Sequence, residues 1–318
     1  MDKKIKEKKV ISIIIPAYNE VENVLRIYKA LKKEWKKSMK KFYDYEIIFI
    51  DDGSTDETIK EIEKIAHTDE QVRFVEFSRN FGKEIATTAG IHVCTGDACI
   101  IIDADLQHPV ELIPEFIEKW CNGFEVVIGV RKESKSDSWI KKIGGKVFYK
   151  IMRFISDVPI ISHATDYRLL DRKVIDAFNE LPERNRMTRG LIDWLGFKRG
   201  VIYFEANERV CGTASYSTWK LFRLAFTSVI SLSMMPLRFA GYLGVIIMFA
   251  SGALGIFMFV DRYFADWGFH FSGSAILADI ILFLIGIVLI SLGLLAFYIG
   301  HIYNECQGRQ MYIIRNKK

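Results

Sequence analysis

The chain has 318 residues, of which 50% are hydrophobic and 6 are proline, and this composition excludes a disordered, collagen-like or low-complexity protein. Lys and Arg number 44 against 39 Asp and Glu, so the net charge of +5 is too mild to indicate a nucleic-acid partner. The 5 cysteines are scattered without a Cys-x-x-Cys pair, which favours reduced thiols over a disulfide framework or a zinc site.

The first two thirds of the chain predict a soluble α/β domain over residues 1–216. Five apolar runs are expected to form strands that are buried on both faces: Val10–Ile15, Glu46–Ile50, Arg73–Phe77, Cys99–Ile102 and Val126–Val130. Helical patterns separate the first three runs, one between Val21 and Trp35 and one at Ile59, Ile62 and Ile65. Ser54 with Glu57 resembles a capping box at the start of the second helix. This alternation predicts a mostly parallel sheet with ligands at the carboxyl ends of its strands.

The last third predicts a membrane segment. Phe239–Val260 and Ile280–Ile299 are uncharged and apolar, and each has the roughly 20 residues that a spanning helix needs. We therefore expect two transmembrane helices within residues 237–300 and a cytosolic tail at residues 301–318. The Lys and Arg distribution places the N-terminal domain and the tail in the cytosol. Residues 217–236 predict an amphipathic juxtamembrane helix, with a core helix of the soluble domain as an equal alternative.

Polar motifs follow each of the five predicted strands. They begin with Pro16-Ala17-Tyr18-Asn19-Glu20, Asp51-Asp52-Gly53-Ser54-Thr55-Asp56 and Ser78-Arg79-Asn80-Phe81-Gly82-Lys83. They continue with Asp103-Ala104-Asp105-Leu106-Gln107-His108-Pro109 and Gly129-Val130-Arg131. Because the carboxyl ends of parallel strands meet at one edge of a sheet, these motifs predict a single site there.

With Thr165-Asp166-Tyr167-Arg168 and Arg209-x-x-Gly212, these motifs resemble the family-2 glycosyltransferases with the GT-A nucleotide-sugar fold, which is Rossmann-like. Within that family the chain is similar to the polyprenyl-phosphate group, which includes dolichyl-phosphate mannose synthase and the bacterial bactoprenol glucosyltransferases. The resemblance covers nearly the whole chain, including the two apolar runs near its end.

The resemblance implies roles for the residues at the strand ends. Asp105 and Gln107 would be direct ligands of Mg²⁺ or Mn²⁺, a cation that neutralises the charge on a leaving diphosphate. The residues implied on the nucleotide side are Pro16, Tyr18, Glu20, Asp52, Asp103 and Ala104. For Glu20 a first-turn helix charge is an equal alternative, and Asp51 and Asp56 are better explained by a turn and a helix cap.

Two arginines are implied to bind phosphates. Arg131 would hold the acceptor phosphate, because a guanidinium grips phosphate through two donors. Arg209 would lie near the donor diphosphate. The family often has a Lys six residues later, and Ser215 stands there in this chain, so Arg189 or Lys220 is an alternative source of charge. Arg186 is a weaker candidate.

Asp166 is the candidate base or acceptor-orienting residue. A lipid monophosphate has a second pKa near 6 and is already largely ionised at neutral pH, so a strong base is not required. The alternative for Asp166 is a pair with Arg168 that holds a loop in place.

These motifs predict an inverting, metal-dependent transfer of a hexose from a UDP- or GDP-sugar to a polyprenyl (undecaprenyl or dolichyl) phosphate. The expected location is the cytosolic face of the cell membrane, with the chain as a multi-pass protein in contact with the lipid bilayer. Transfer to another lipid such as diacylglycerol and a non-catalytic membrane scaffold are the alternatives. A processive polysaccharide synthase is disfavoured, since the chain has no Gln-x-x-Arg-Trp. The sugar and the oligomeric state, a homo-oligomer included, stay open.

Overall fold

The computed structural model describes residues 8–132, 161, 163–184, 186–205, 260, 264 and 273–318. The chain divides into two compact units. The first is made of residues 1–154, 158–217 and 309–318, and the second of residues 155–157 and 218–308. The amphipathic helix predicted at residues 217–236, nearly all of the first predicted span, and Arg209 lie outside the described residues.

The first unit is an α/β domain built on one sheet. Its described strands are β1 (Lys9–Ala17), β2 (Tyr43–Asp51), β3 (Val72–Phe77), β4 (Ala98–Ile101), β5 (Val126–Arg131), β6 (Ala164–Asp171), β7 (Arg199–Phe204) and β8 (Ile314–Lys317). Its described α-helices are α1 (Val21–Glu34), α2 (Thr58–Thr68), α3 (Lys83–Val93), α4 (Ile113–Cys121), α5 (Arg172–Asn179) and α6 (Thr188–Trp194). A π-helical turn (Trp35–Met39) extends α1, and a 3₁₀ turn (Val110–Leu112) precedes α4.

The eight strands form one sheet in the order β7-β5-β6-β4-β1-β2-β3-β8. The pairs among β1, β2, β3 and β4 are parallel, as is the pair of β5 with β7. Only β6 and β8 pair with their neighbours in the antiparallel direction within the described sheet. All five predicted strands are present, so the prediction of a mostly parallel α/β sheet is confirmed.

Helices cover both faces of this sheet, which explains why its central strands are continuous apolar runs. Ile11, Ile13 and Ile15 of β1 pack in a core with α1, α2 and α4, whereas Ile14 packs on the other face with α3, α5 and α6. Alternate residues of a strand point to opposite faces, so both sets of side chains must be apolar.

The start of α2 departs from the prediction. The helix begins at Thr58 after Glu57, whose side chain makes no capping hydrogen bond. The Ser54 Oγ instead accepts a hydrogen bond from the backbone N–H of Asn19 at 3.0 Å. The predicted capping box is therefore wrong, because Ser54 joins the turn after β2 to the turn after β1.

The C-terminal tail returns to the domain as β8, which no sequence pattern indicated. This strand pairs with β3 at the edge of the sheet. The Tyr312 ring stacks on Phe77 with ring centroids 5.0 Å apart, and its hydroxyl lies 3.2 Å from Nδ1 of His92. Arg315 binds Glu76 across the strand pair at 3.0 Å. These contacts attach the tail to the same unit as the first strand.

The second unit contains α7 (Gly273–Cys306), a continuous helix of 34 residues that includes the run Ile280–Ile299. Exposed apolar side chains recur along it every three or four residues, the spacing of one helix face: Leu277, Ile281, Leu284, Val288, Leu292, Leu295 and Ile299. Among the residues whose side chains the structure describes, no helix is both long enough and apolar enough to span a membrane. The two spans therefore stay predictions.

Candidate active site

The turns after β1, β2 and β4 meet at one edge of the sheet. The parallel register sets Ala17 beside Asp51 and Ile14 beside Ile101, so the residues that follow these strands emerge at the same level. Antiparallel β6 enters from the opposite direction. Its pairing of Arg168 with Ile101 brings the preceding Asp166 to the residues that follow β4. The topology thus gathers motifs that lie up to 150 residues apart in the sequence.

The turn after β1 presents Tyr18, which is 44% exposed, whereas Pro16 is buried in the strand. Asn19 has a φ of 55°, and its side-chain oxygen accepts the backbone N–H of Thr55 at 2.8 Å. Glu20 precedes α1, and its carboxylate accepts a hydrogen bond from the Asn23 side chain at 2.6 Å. This contact ties Glu20 to the start of the helix. Both predictions for Glu20, a residue on the nucleotide side and a helix charge, remain open.

The carboxylates after β2 are engaged by nearby backbone. Asp51 accepts the N–H of Ser54 at 3.1 Å, and Asp56 accepts the N–H of Thr58 at 3.0 Å, as expected for a turn and a helix start. Asp52 is 3% exposed and accepts the backbone N–H groups of Phe81 at 2.7 Å and Gly82 at 2.9 Å. Burial raises the pKa of Asp52 and these hydrogen bonds oppose the rise.

Asp52 was predicted on the nucleotide side, and the structure shows it holding the turn before α3. Gly53 has a φ of +66°, and a Cβ there would meet the backbone of Arg79 at 2.3 Å. Only glycine tolerates both the conformation and the close approach. The turns after β2 and β3 are therefore locked together.

The turn after β4 keeps its carboxylates more accessible. Asp105 and Gln107 are half-buried, and the Asp105 carboxylate accepts the N–H of Gln107 at 3.1 Å. Leu106 between them has a φ of 62°, a left-handed conformation that is unusual for leucine and turns the chain sharply. Ala104 is buried in the core beneath the turn.

His108 anchors this turn from below, a role that the sequence did not reveal. Its ring is 6% exposed and stacks on Tyr167 with centroids 4.9 Å apart. Its Nδ1 accepts the backbone N–H of Asp103 at 3.2 Å. Burial lowers the pKa of His108, so the neutral ring is favoured. The Asp103–Gln107 segment is thereby fixed to β6.

Asp166 lies between two cations. Nζ of Lys83 is 2.9 Å from one carboxylate oxygen, and Nε of Arg189 is 2.8 Å from the other. The same Lys83 ammonium lies 2.7 Å from Asp103. Burial alone would raise the pKa of Asp166, but the charges of Lys83 and Arg189 outweigh it and hold this pKa well below its usual range.

The alternative pair of Asp166 with Arg168 is not the arrangement observed. The Arg168 side chain is 1% exposed, and its nearest carboxylate is Asp193 at 3.2 Å. Arg168 therefore joins β6 to α6, the helix that carries Arg189. This buried pair helps to set Arg189 opposite Asp166.

The remaining predicted cations fall in different places. Arg131 is exposed at the end of β5, and its backbone N–H donates to the carbonyl of His163 at 3.1 Å. The buried Arg186 donates to the carbonyls of Glu183 and Leu181, which indicates a structural role. Arg189 enters the site as a partner of Asp166. Lys83 also belongs to the site as a partner of Asp166. In the sequence, only its position in the motif after β3 indicated this.

The donor set fits a hard divalent cation held jointly by protein and substrate. Among the described residues no three His, Cys, Asp or Glu side chains form a metal site on their own. Mg²⁺ is usually bound by one or two carboxylates plus substrate phosphates. Asp105 and Gln107, two half-buried oxygen donors on one sharp turn, would hold such an ion, which would supply charge neutralisation on a diphosphate.

A doubly covered, mostly parallel sheet with an Asp-x-Asp turn at its carboxyl edge is the architecture of GT-A glycosyltransferases. The sequence model of glycosyl transferase family 2 matches residues 12–178, which run from β1 to α5. The chain belongs to this family and is a glycosyltransferase.

Relatives match nearly the full length. The bactoprenol glucosyl transferase of Shigella phage SfV is 39% identical over 308 residues, which cover 97% of this chain and 99% of the relative. The putative glycosyltransferase CsbB of Bacillus subtilis is 40% identical over 306 residues, covering 96% and 91%. The fold also matches glucosyl-3-phosphoglycerate synthase from Mycobacterium tuberculosis, solved with Mn²⁺, UDP and glucosyl-3-phosphoglycerate, at a TM-score of 0.51 and 17% identity, covering 70% and 78% of the two chains.

Proposed function

We propose that this glycosyltransferase moves a hexose from a nucleotide diphosphate sugar to a polyprenyl phosphate, with a divalent cation and with inversion at the anomeric carbon. The observation that carries the proposal is the meeting of Asp103 and Asp166 with Lys83 and Arg189 at the edge of the sheet where the turn with Asp105 lies. Full-length relatives named bactoprenol glucosyl transferase support a lipid phosphate as the acceptor.

The chemistry is a single displacement. A phosphate oxygen of the acceptor forms a bond to the anomeric carbon while the bond from that carbon to the donor diphosphate breaks, and the nucleoside diphosphate leaves. The lipid phosphate is already ionised at neutral pH, so no proton has to be removed. An Asp166 with a depressed pKa is a weak proton acceptor, and its surroundings therefore favour orientation of the acceptor over base catalysis.

The charges around the site suit two phosphorylated substrates. Asp105 and Gln107 would hold the cation at the donor diphosphate. Lys83 and Arg189 supply positive charge beside Asp166, and Arg131 adds an exposed guanidinium at the end of β5. Tyr18 offers an exposed ring on the nucleotide side, above the buried Pro16. By resemblance Arg209 belongs on the donor side as well.

The pairing of the tail with the domain limits any membrane crossings to an even number. Because β8 pairs with β3, both ends of the segment between β7 and β8 belong to the same domain. If that segment crosses a bilayer, it must return to the side on which it began. Two spans within residues 237–300 satisfy this condition, and the exposed apolar side chains of α7 suit contact with lipid. The proposed location is the cytosolic face of the cell membrane.

The test is transfer by the purified full-length chain. We expect a metal-dependent product when UDP-glucose or GDP-mannose is supplied with Mn²⁺ and undecaprenyl phosphate, and none after chelation. The anomeric configuration of the product, read by NMR, checks inversion. Transfer to diacylglycerol but not to the polyprenyl phosphate would contradict the proposed acceptor. Binding of neither nucleotide sugar would favour a non-catalytic scaffold.

Topology has a separate test. A reporter fused after Lys318 should be accessible from the cytosol, and one inserted near Gly268 from the opposite side. Accessibility of both from the same side would contradict the two-span arrangement.

A further inference from the structure

Lys83 connects Asp103, in the turn after β4, to Asp166 of β6. It is the first residue of α3 and follows Gly82, whose φ of +100° is reached without strain only by glycine. Asp52 binds the backbone N–H groups of Phe81 and Gly82, so the start of α3 is held in place. From there the Lys83 ammonium reaches Asp103 at 2.7 Å and Asp166 at 2.9 Å.

This ammonium retains capacity for a ligand. An ammonium group has three N–H donors, and among the described residues two are directed to the carboxylates of Asp103 and Asp166. The Lys83 side chain is 45% exposed, although both of its partners are mostly buried at 22% and 19% exposure. The Lys83 side chain is therefore held by two carboxylates and still partly accessible to solvent.

Lys83 supplies half of the positive charge in the cluster. Asp103 and Asp166 carry two negative charges, and Lys83 and Arg189 carry two positive charges. Removal of Lys83 would leave two carboxylates facing each other with one cation. A phosphate would then meet net negative charge where it now meets a balanced cluster.

We propose that Lys83 is a positioning residue that binds a substrate phosphate oxygen and holds Asp103 and Asp166 in register for transfer. This inference rests on the proposed function. The phosphate could come from the nucleotide diphosphate or from the lipid monophosphate, since both are oxyanions that accept a charge-assisted hydrogen bond. Lys83 lies between Asp103, which is implied on the nucleotide side, and Asp166, the candidate acceptor-orienting residue.

The test compares Lys83→Met, Lys83→Arg and the control Lys60→Met in the full-length chain. Methionine keeps most of the length of the side chain and removes the ammonium and its charge. Lys60 is also a helical lysine paired with a carboxylate, Glu57 at 2.7 Å, but it is exposed on α2. The measurements are the Kd of UDP with Mn²⁺ by calorimetry, kcat and KM with UDP-glucose and undecaprenyl phosphate, and the melting temperature.

We expect Lys83→Met to weaken one binding step by about 10- to 100-fold, the usual range for a charge-assisted hydrogen bond. A raised Kd for UDP assigns the contact to the donor diphosphate. A raised KM for undecaprenyl phosphate with an unchanged Kd for UDP assigns it to the acceptor. Lys83→Arg should recover part of the loss, and Lys60→Met should match the parent.

The proposal is overturned if Lys83→Met keeps the parental Kd, KM and kcat, or if its only change is a lower melting temperature. If the parent chain binds UDP but transfers nothing to undecaprenyl phosphate, the proposed function fails. The Kd of UDP is then the measurement that tests Lys83. In that case an unchanged Kd for UDP in Lys83→Met overturns the inference.

Discussion

Two acidic turns lie at the same edge of the sheet and behave differently. At the end of β2, Asp51 and Asp52 are 1% and 3% exposed, and their carboxylates accept backbone N–H groups. After β4, Asp103 keeps 22% exposure, and its carboxylate meets the Lys83 ammonium. A carboxylate that accepts backbone N–H groups stabilises a turn. A carboxylate that contacts a side-chain cation and solvent can exchange the cation for a ligand. We therefore expect the aspartates of the first turn to act mainly in stability and those of the second to act in transfer.

Asp105→Ala should show the largest effect. It removes a predicted ligand of the cation and leaves the diphosphate charge uncompensated, so transfer should fall by about 10²- to 10³-fold. The measurement is kcat at saturating donor and Mn²⁺, together with the Mn²⁺ dependence of UDP binding. Activity within a few-fold of the parent would place the metal elsewhere.

Asp166→Asn should lower transfer by roughly 10²-fold, the cost of a misplaced acceptor, since it removes the charge that the two cations hold in place. Because the pKa of Asp166 is depressed, the residue stays ionised from pH 6 to 9 and the defect should be constant over that range. A defect that shrinks as the pH rises would instead identify Asp166 as a proton acceptor.

The same variant tests stability with a defined sign. A carboxyl whose folded-state pKa is depressed contributes stability above its unfolded pKa, about 3.9 for Asp, and loses it as the pH falls through the folded value. The melting temperature of the parent should therefore exceed that of Asp166→Asn near neutral pH, and the difference should narrow below about pH 4. Melting curves across pH 3 to 8 provide the measurement.

Asp52→Asn should affect stability more than chemistry. The change replaces one acceptor oxygen by an NH2 donor, which would face the Gly82 N–H or lie where Phe81 now donates. The free energy of unfolding should therefore fall by about 2 kcal/mol and the melting temperature by roughly 4–8 °C. Transfer should fall less than in Asp105→Ala. A variant that melts like the parent but no longer binds UDP would restore Asp52 to the nucleotide side.

Asp56→Ala should show the smallest effect and serves as the matched control for Asp105→Ala. It removes the contact with the Thr58 N–H at the start of α2, at a cost of about 1 kcal/mol. Its kcat should equal that of the parent. A large loss of transfer would break the distinction between the two acidic turns.

The sequence by itself determined the layers of the fold and the edge at which the site lies. Short, mostly apolar runs such as Val10–Ile15 that alternate with helical patterns predict strands covered on both faces, and motifs after parallel strands share an edge. The same local arguments identified Asp51 and Asp56 as turn and cap residues, because their partners lie within three residues.

Only the tertiary structure decided which charges meet. Asp166 pairs with Lys83 and Arg189, 83 positions before it and 23 after it, rather than with Arg168, two positions away. β8 joins a strand more than 230 residues earlier in the chain. Such contacts depend on strand order and on antiparallel register. Periodicity within a segment carries no information about either, because each side chain's local pattern is the same whichever strand becomes its neighbour.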